Sequence, residues 1–351
     1  MKILINVPKL NLPGGVSNHY YGLREYWSED VCYNVVGKRV ARQGIGWLWM
    51  PFDIIKFIVR LCVFSPDVVI VNPSIGKNAL RRDSVYLKIS QLFKKKFVVF
   101  FHGFNMDTYQ NLIGKDNLLR TLSKASGVIV LAEQFKQMLR QDGVSVPIST
   151  LTTKVYDKLL EGYDVLQRTG DVKNILFLTR VEKTKGIYIA LEAYKMLREK
   201  YSNICFSIVG GGSALESIRL LINKEKIPSV RVTGHLSAIA LRKEFENADI
   251  YVFPSYSEGM PTSVLEAMAF GLPVITRKVG GLADFFEDGK MGYITESYEP
   301  KDFSDAIEQY IKDEVLTRRV SLYNYQYAKE HFYASKVAQK MEKTVKSFIY
   351  G

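Results

Sequence analysis

The chain reads as an α/β protein of two doubly wound domains that face each other. Three observations predict this. At 351 residues it is long for one core and comfortable for two. Apolar strand-like runs alternate with helical patterns in two successive series. Glycine- and proline-rich loops sit at the carboxyl ends of several runs, where open parallel sheets bind ligands. Hydrophobic residues make up 47%, enough for buried cores and too many for global disorder.

Residues 2–7 read as a buried first strand, an apolar run too short for a signal peptide. Pro13-Gly14-Gly15-Val16 follows, then a helical pattern over 17–27. A glycine pair between a first strand and a first helix lets backbone approach a ligand closely. His19, inside that helix, reads as structural. Residues 45–64 are the most apolar segment, but Asp53, Lys56 and Arg60 interrupt them on one helical face. The segment therefore lacks the continuous span of about 20 apolar residues that crosses a bilayer. Two readings stand: a helix packed on the sheet, or a helix whose Trp47, Leu48, Trp49, Met50 and Phe52 dip into a membrane interface.

Residues 66–72 read as the next strand. Residues 77–96 are basic, with Arg81, Arg82, Lys88, Lys94, Lys95 and Lys96, either as a solvated helix face or as a patch for anionic headgroups. Residues 97–101 form a strand that delivers His102 to its carboxyl end. Asn105 and Asp107, just beyond, are candidate acceptor contacts. Residues 127–131 and 147–152 read as the last strands of the first domain. Residues 153–172 lack periodicity and read as the connection.

The second series opens with a strand at 174–179, the basic loop 180–186 and a helix at 187–200. It places two cations, Arg180 and Lys185, at the crevice, while Lys183 reads as solvated. Arginine offers a planar fork of donors and lysine a mobile point charge; together they offset leaving-group charge. The strand 204–209 leads to Gly210-Gly211-Gly212-Ser213 and a helix, but Leu215 stands where Gly-x-Gly-x-x-Gly needs its third glycine. The strand near 230 ends in Gly234-His235. Residues 250–254 form a strand that runs into the loop 255–261. A helix over 262–270 follows, which Gly271 stops. Pro273 then opens a further strand, Gly280-Gly281 marks a turn into a helix, and the end of the chain is helical.

Pro261, Thr262 and Ser263 are helix-start residues, and Thr262 or Ser263 can cap free backbone N–H groups. A helix N-terminus at the end of a strand is a ready anion site. Glu258 in the loop and Glu266 in the helix, eight positions apart, frame it. Two acids make poor phosphate ligands, but ionised carboxylates accept strongly from sugar hydroxyls. The residues suggest a ligand with phosphate in the middle and hydroxyl-rich ends, which describes a nucleotide-sugar.

Glu258-Gly259-Met260-Pro261 through Glu266-Ala-Met-Ala-Phe-Gly-Leu-Pro-Val-Ile resembles the Glu-x7-Glu signature of glycosyltransferase family 4. Those are retaining enzymes of the two-domain GT-B fold. The resemblance is strong over 180–292 and diffuse before it. It implies a first domain over 1–160, onto which 335–351 cross back, and a nucleotide-sugar domain over 173–334. It implies catalytic roles for His102, Glu258, Arg180 and Lys185, with the two cations on the donor diphosphate. Donor contacts would come from Gly15, Gly210, Gly211 and Gly234, from Gly259 to Ser263 (with Met260, Pro261 and Thr262), and from Glu266 on ribose hydroxyls. Gly14, Asn105 and Asp107 would lie on the acceptor side. The family's Pro-Asn-Gly-like turn is replaced here by Thr150-Leu-Thr-Thr-Lys-Val155.

The implied reaction moves a sugar from an NDP-sugar to a hydroxyl of a glycan or lipid-linked acceptor, in cell-envelope or exopolysaccharide assembly. No Asp-x-Asp occurs in the sequence, so no metal and no further cofactor are expected. An epimerase of the same fold, or a non-catalytic nucleotide-sugar-binding protein, are the alternatives. Net charge is +12, and residues 1–165 carry most of it, with 22 Lys and Arg against 13 Asp and Glu. That favours anionic partners, including an anionic membrane surface. No nucleic-acid-binding motif accompanies the charge. Cys32, Cys62 and Cys205 lack metal-ligand or Cys-x-x-Cys spacing, which fits a reducing cytosol. The expected location is cytoplasmic, peripheral on the inner face of the membrane.

Overall fold

The computed structural model describes the chain apart from residues 13, 38–48, 74–76, 104–108, 111–116 and 237, with the side chains of 77–81, 117–118 and 238 also outside the description. The chain divides into two units, Met1–Lys154 with Ala334–Gly351, and Val155–Tyr333. The expected boundaries of 160, 173 and 335 shift to these positions.

The first unit carries six parallel strands: β1 (Lys2–Val7), β2 (Asp30–Val35), β3 (Val68–Val71), β4 (Lys96–Phe100), β5 (Gly127–Val130) and β6 (Ile148–Thr150). Their order is β2-β1-β3-β4-β5-β6. The inner strands β3 and β5 are buried at every position, as expected for parallel strands covered on both faces. Its helices are α1 (Gly15–Leu23), α2 (Met50–Val63), α3 (Lys77–Leu92), α4 (Asn117–Leu122) and α5 (Glu133–Gln141). Helix α1 begins and ends earlier than the 17–27 pattern suggested, because a turn from Tyr26 N–H to the Leu23 carbonyl closes it. Strand β2 escaped the sequence reading: Asp30 and Asn34 break its apolar pattern, and it pairs with β1 alone at the sheet edge.

Helix α2 presents two kinds of face. Phe57 and Leu61 are buried, and Phe57 meets Tyr86 edge-on at 5.1 Å. The expected common face of Asp53, Lys56 and Arg60 is not a common environment. Asp53 is buried and accepts from Gly37 N–H at 3.3 Å. Arg60 reaches the Tyr33 carbonyl and Asn34, and Lys56 is exposed. The basic stretch is likewise partly spoken for. Arg82 makes two bonds of 2.8 and 2.9 Å to buried Asp83, and Lys96 donates to the Ile349 carbonyl.

The second unit has a second parallel sheet, β7 (Asn174–Leu178), β8 (Cys205–Val209), β9 (Val230–Gly234), β10 (Ile250–Phe253), β11 (Val274–Arg277) and β12 (Gly292–Thr295), in the order β12-β11-β10-β7-β8-β9. Helices α6 (Ile187–Lys200), α7 (Leu215–Glu225), α8 (Ala238–Asn247), α9 (Thr262–Ala269), α10 (Pro300–Lys312) and α11 (Glu314–His331) cover it. Gly271, with φ 71°, ends α9 as a left-handed cap, and Leu272 N–H returns to the Ala267 carbonyl.

The aperiodic segment 155–172 is not a loose connection. It belongs to the second unit, where the Arg168 guanidinium donates to the carbonyls of Phe270, Ala248 and Phe245 at 2.5–2.9 Å. Backbone groups that leave a regular element need partners when buried, and one arginine fork supplies three. The ends of this unit meet: Val155 N–H bonds the Phe332 carbonyl at 2.7 Å.

The last helix, α12 (Ala334–Tyr350), returns to the first unit and packs against α1. Its buried stripe is Val337, Ala338, Met341, Val345 and Ile349. Within the stripe lies buried Glu342. Its carboxylate accepts from Ser28 N–H at 2.8 Å, Ser28 Oγ at 2.5 Å and Glu29 N–H at 2.9 Å. Bonds to a buried charge are among the stronger ones, and losing the acceptor strands three donors. Glu342→Ala should therefore destabilise the first unit by about 3 kcal/mol in urea unfolding. Lys346→Ala, which removes only an exposed partner of Glu29, should leave the urea midpoint close to that of the wild type.

Candidate donor site and a buried histidine cluster

Because β7–β12 are all parallel, their carboxyl ends share one rim. The loops after β7, β8, β9 and β10 carry the residues singled out from the sequence. Gly210 stands there for a structural reason. Its φ is 137°, and a Cβ would lie 1.9 Å from the Thr179 carbonyl oxygen. Gly211 differs: a Cβ there would meet nothing within 4 Å, so its backbone is open to approach, while its carbonyl accepts from Val181 N–H at 2.9 Å. Gly234 is buried and His235 exposed.

Two loops are joined by charge. Lys185 Nζ and Glu258 Oε1 are 2.5 Å apart, and the side chains are only 12% and 13% exposed. Ser255 Oγ donates to the same Glu258 oxygen at 2.7 Å. Tyr256 N–H bonds the Thr184 carbonyl at 2.9 Å, and Gly281 N–H bonds the Gly259 carbonyl at 2.7 Å. The loop bearing Glu258 is thus pinned on both sides. Met260 is half-buried against the core and Pro261 is buried.

Tyr251, which sequence reasoning passed over as a strand residue, ties this loop to α9. Its hydroxyl lies 2.8 Å from the Leu178 carbonyl and 2.8 Å from Ser263 Oγ. Burial pushes its pKa well above the ordinary value; the Ser263 bond opposes this, and the negative charges of Glu266 and Glu258 add to it. Both carboxylates therefore stand around one phenol. The capping expectation is corrected in part: the N-cap position of α9 is Pro261, which makes no side-chain cap bond, and Ser263 Oγ is engaged by Tyr251. Thr262 and Glu266 are half-buried in the first two turns.

Arg180 is not drawn into this cluster. Its guanidinium is 68% exposed and pairs with Glu182 at 2.9 Å. Among the described residues, no group of three or more His, Cys, Asp or Glu could hold a metal ion.

The first unit holds a separate polar cluster at the carboxyl end of its own sheet. His102 Nε2 lies 3.0 Å from Asn72 Oδ1. Tyr20 donates its hydroxyl to the same oxygen at 2.8 Å, while Asn72 Nδ2 donates to the Asn6 carbonyl at 2.8 Å. The amide orientation is therefore fixed, and Oδ1 can only accept. This assigns the proton of His102 to Nε2 and leaves Nδ1 as an acceptor. Burial holds the His102 pKa down at about 3. His19 lies beside it, ring centroids 4.8 Å apart, and its pKa is also lowered, first by burial and then by His102 and Lys154. Its Nε2 is buried and has no hydrogen-bond partner among the described residues. Gly14 and Gly15 lead into α1, and a Cβ on Gly15 would meet nothing within 4 Å. Asn105 and Asp107 lie outside the described residues. Asn72 was missed from sequence; the available signal was a polar residue directly after a fully apolar strand.

Residues 164–329, just under half of the chain, match the family described as Glycosyl transferases group 1. A D-inositol 3-phosphate glycosyltransferase of Paenarthrobacter aurescens is 33% identical over 153 residues, covering 42% of this chain and 37% of that protein. The capsular polysaccharide biosynthesis glycosyltransferase CapM of Staphylococcus aureus is 28% identical over 198 residues, covering 55% and 50%. The matches span half or less of the length of these two relatives. The crystal structure of Anabaena HepE in complex with UDP superposes with a TM-score of 0.73 at 16% identity, covering 99% of this chain and 100% of that one. The likeness in structure gives the fold, which is GT-B. The family match and the relatives support a glycosyl-transfer role.

The neutral histidines couple stability to pH. The unfolded chain takes up the proton at about 6.5, the folded His102 at about 3. Stability is therefore full above about 6.5 and is lost as pH falls toward 3. Between pH 7 and 5, above the carboxylate range, unfolding free energy should fall with a slope approaching about 1.4 kcal/mol per pH unit for each histidine. His102→Gln should flatten this profile. An unchanged slope in that variant would assign the effect elsewhere.

Proposed function

We propose that the chain is a retaining family 4 glycosyltransferase of hexosyltransferase type. It moves a sugar from an NDP-sugar, with UDP or GDP as the carrier, to a hydroxyl of a glycan or lipid-linked acceptor. The reaction serves cell-envelope or exopolysaccharide assembly at the inner face of the cytoplasmic membrane. The observation that carries this reading is the Lys185–Glu258 pair on the same rim as Glu266 and the open Gly211, inside the segment matched by the glycosyltransferase family. UDP in the HepE structure and capsule assembly in the name of CapM support the donor class and the setting.

The roles follow from charge. A diphosphate is a better partner for Lys185 than one carboxylate, since it brings more negative charge to the same ammonium. Lys185 then leaves Glu258, whose freed oxygen accepts from sugar hydroxyls. Glu266 accepts from the ribose. Arg180 exchanges exposed Glu182 for phosphate, and the start of α9 adds its dipole. The acceptor oxygen bonds the anomeric carbon, the bond to the diphosphate breaks, the departing phosphate oxygen takes the acceptor's proton, and these cations stabilise the leaving charge in place of a divalent metal. In the first unit, His102 presents only its Nδ1 lone pair. It accepts from a hydroxyl and does not act as an acid.

Thermal unfolding in EDTA against UDP, GDP, ADP and CMP tests the donor reading. One base should give a selective upward shift, since a nucleotide at about 100 times its Kd adds roughly 2.7 kcal/mol. Lys185→Ala should lower turnover on the order of 10²–10³-fold, as loss of a transition-state donor does. No shift with any nucleotide, or full turnover in the variant, would sink the assignment.

A further inference from the structure

One side of α2 carries large apolar side chains that are exposed. Trp49, Phe52, Ile55, Val59 and Val63 are between 50 and 81% exposed. Trp49, Phe52, Lys56, Val59 and Val63 follow each other at spacings of three and four, so they form one stripe along the outside of the helix. The stripe runs about 21 Å, at 1.5 Å per residue. Its only charge is Lys56. The only acid of α2, Asp53, is buried and does not belong to the stripe. At the carboxyl end Lys95 Nζ bonds Ser65 Oγ at 3.2 Å, which brings the end of α3 alongside. There Leu92 is 79% exposed. Lys2 Nζ lies 5.5 Å from the Phe64 ring at the same end.

We propose that this face of α2 docks on an anionic lipid bilayer, lying in the interface plane. This names the surface behind the membrane setting of the proposed function and rests on that reading only for its purpose. Charge selects the occupant. The first unit holds 25 Lys and Arg against 11 Asp and Glu, a net +14, while the second holds 23 against 25, a net −2. A second copy would bring +14 against +14, which opposes self-association through this unit. An anionic surface is attracted, with each nearby Lys contributing. The side chains fit: an aromatic pair, Trp49 and Phe52 with centroids 6.0 Å apart, stands at one end, and Lys56 has a stem long enough to keep its ammonium at the headgroups. Among the described residues no helix is long and apolar enough to cross a membrane, so α2 lies on the bilayer and does not span it.

Co-sedimentation of the full chain with vesicles tests this. The wild type should bind phosphatidylcholine vesicles containing phosphatidylglycerol and not those of phosphatidylcholine alone. Phe52→Ser with Val59→Ser, both at exposed positions, should weaken partition by about tenfold or more. Lys56→Glu should weaken it as well. The nucleotide-induced thermal shift should be unchanged in all variants. Wild-type protein that ignores anionic vesicles would overturn the proposal. So would a double serine variant that binds as well as wild type, since adsorption would then be by charge alone. A wild-type dimer that the double variant converts to monomer, with no vesicle binding, would give the face to a second copy. Vesicle binding without any nucleotide shift would keep the docking surface and remove the transfer reading.

Discussion

The pair between Lys185 and Glu258 sets the form of the donor half. It is nearly buried, and burying two charges costs more in desolvation than their attraction commonly returns. Stability therefore gives little reason to keep it. What it does is join the loops after β7 and β10, two neighbouring strands, and hold both charges on the rim. The surrounding bonds make sense as support. Ser255 takes part of the Glu258 charge, Tyr256 and Gly281 fix its loop on either side, and Tyr251 locks the start of α9. A charge pair of this kind is poised: either member can be drawn off by a ligand that offers a better partner.

The first unit solves a different problem. Its sheet ends in a run of buried polar side chains, and Asn72 organises them. One amide group receives protons from Tyr20 and His102 through its oxygen and gives one to Asn6 through its nitrogen. A buried network of this kind specifies one arrangement only if each member is satisfied. Among the described residues, Nε2 of His19 and Nδ2 of Asn6 are the exceptions. His19 sits against the His102 ring, so one of these open nitrogens lies beside the histidine whose tautomer is fixed.

Legibility in the sequence followed physical regularity. The parallel strands were readable where both faces are buried, because burial writes a continuous apolar run. Strand β2 was not: Asp30 is exposed at the sheet edge, and buried Asn34 is accommodated by bonds to Asn6 and Arg60. The Glu258–Glu266 segment was readable because Pro261 and Gly271 bound its helix. Lys185 was readable from its loop. The partnership of Lys185 with Glu258 was not, as 73 positions separate them and nothing local encodes the pairing. Arg180, two strand ends of reasoning alike to Lys185, turns out to be solvated against Glu182. Residues 155–172 looked like a linker because their order comes from one side chain, Arg168, and not from periodicity.

The two units also differ in what their surfaces invite. The second is near neutral, so its cations at Arg180 and Lys185 stand out as local features on a balanced background. Local charge of that sort selects a compact anion. In the first unit the excess is spread over the whole body, and part of it is used internally: Arg82 on Asp83, Lys96 on the end of α12, Lys154 beside Asn18. A spread excess selects an extended anion by long-range field, not by contact geometry. In the proposed docking, the outward stripe of α2 supplies the short-range term that a field lacks. Its side chains gain only when taken out of water, so charge can bring the unit to a surface, and the apolar face decides whether it stays.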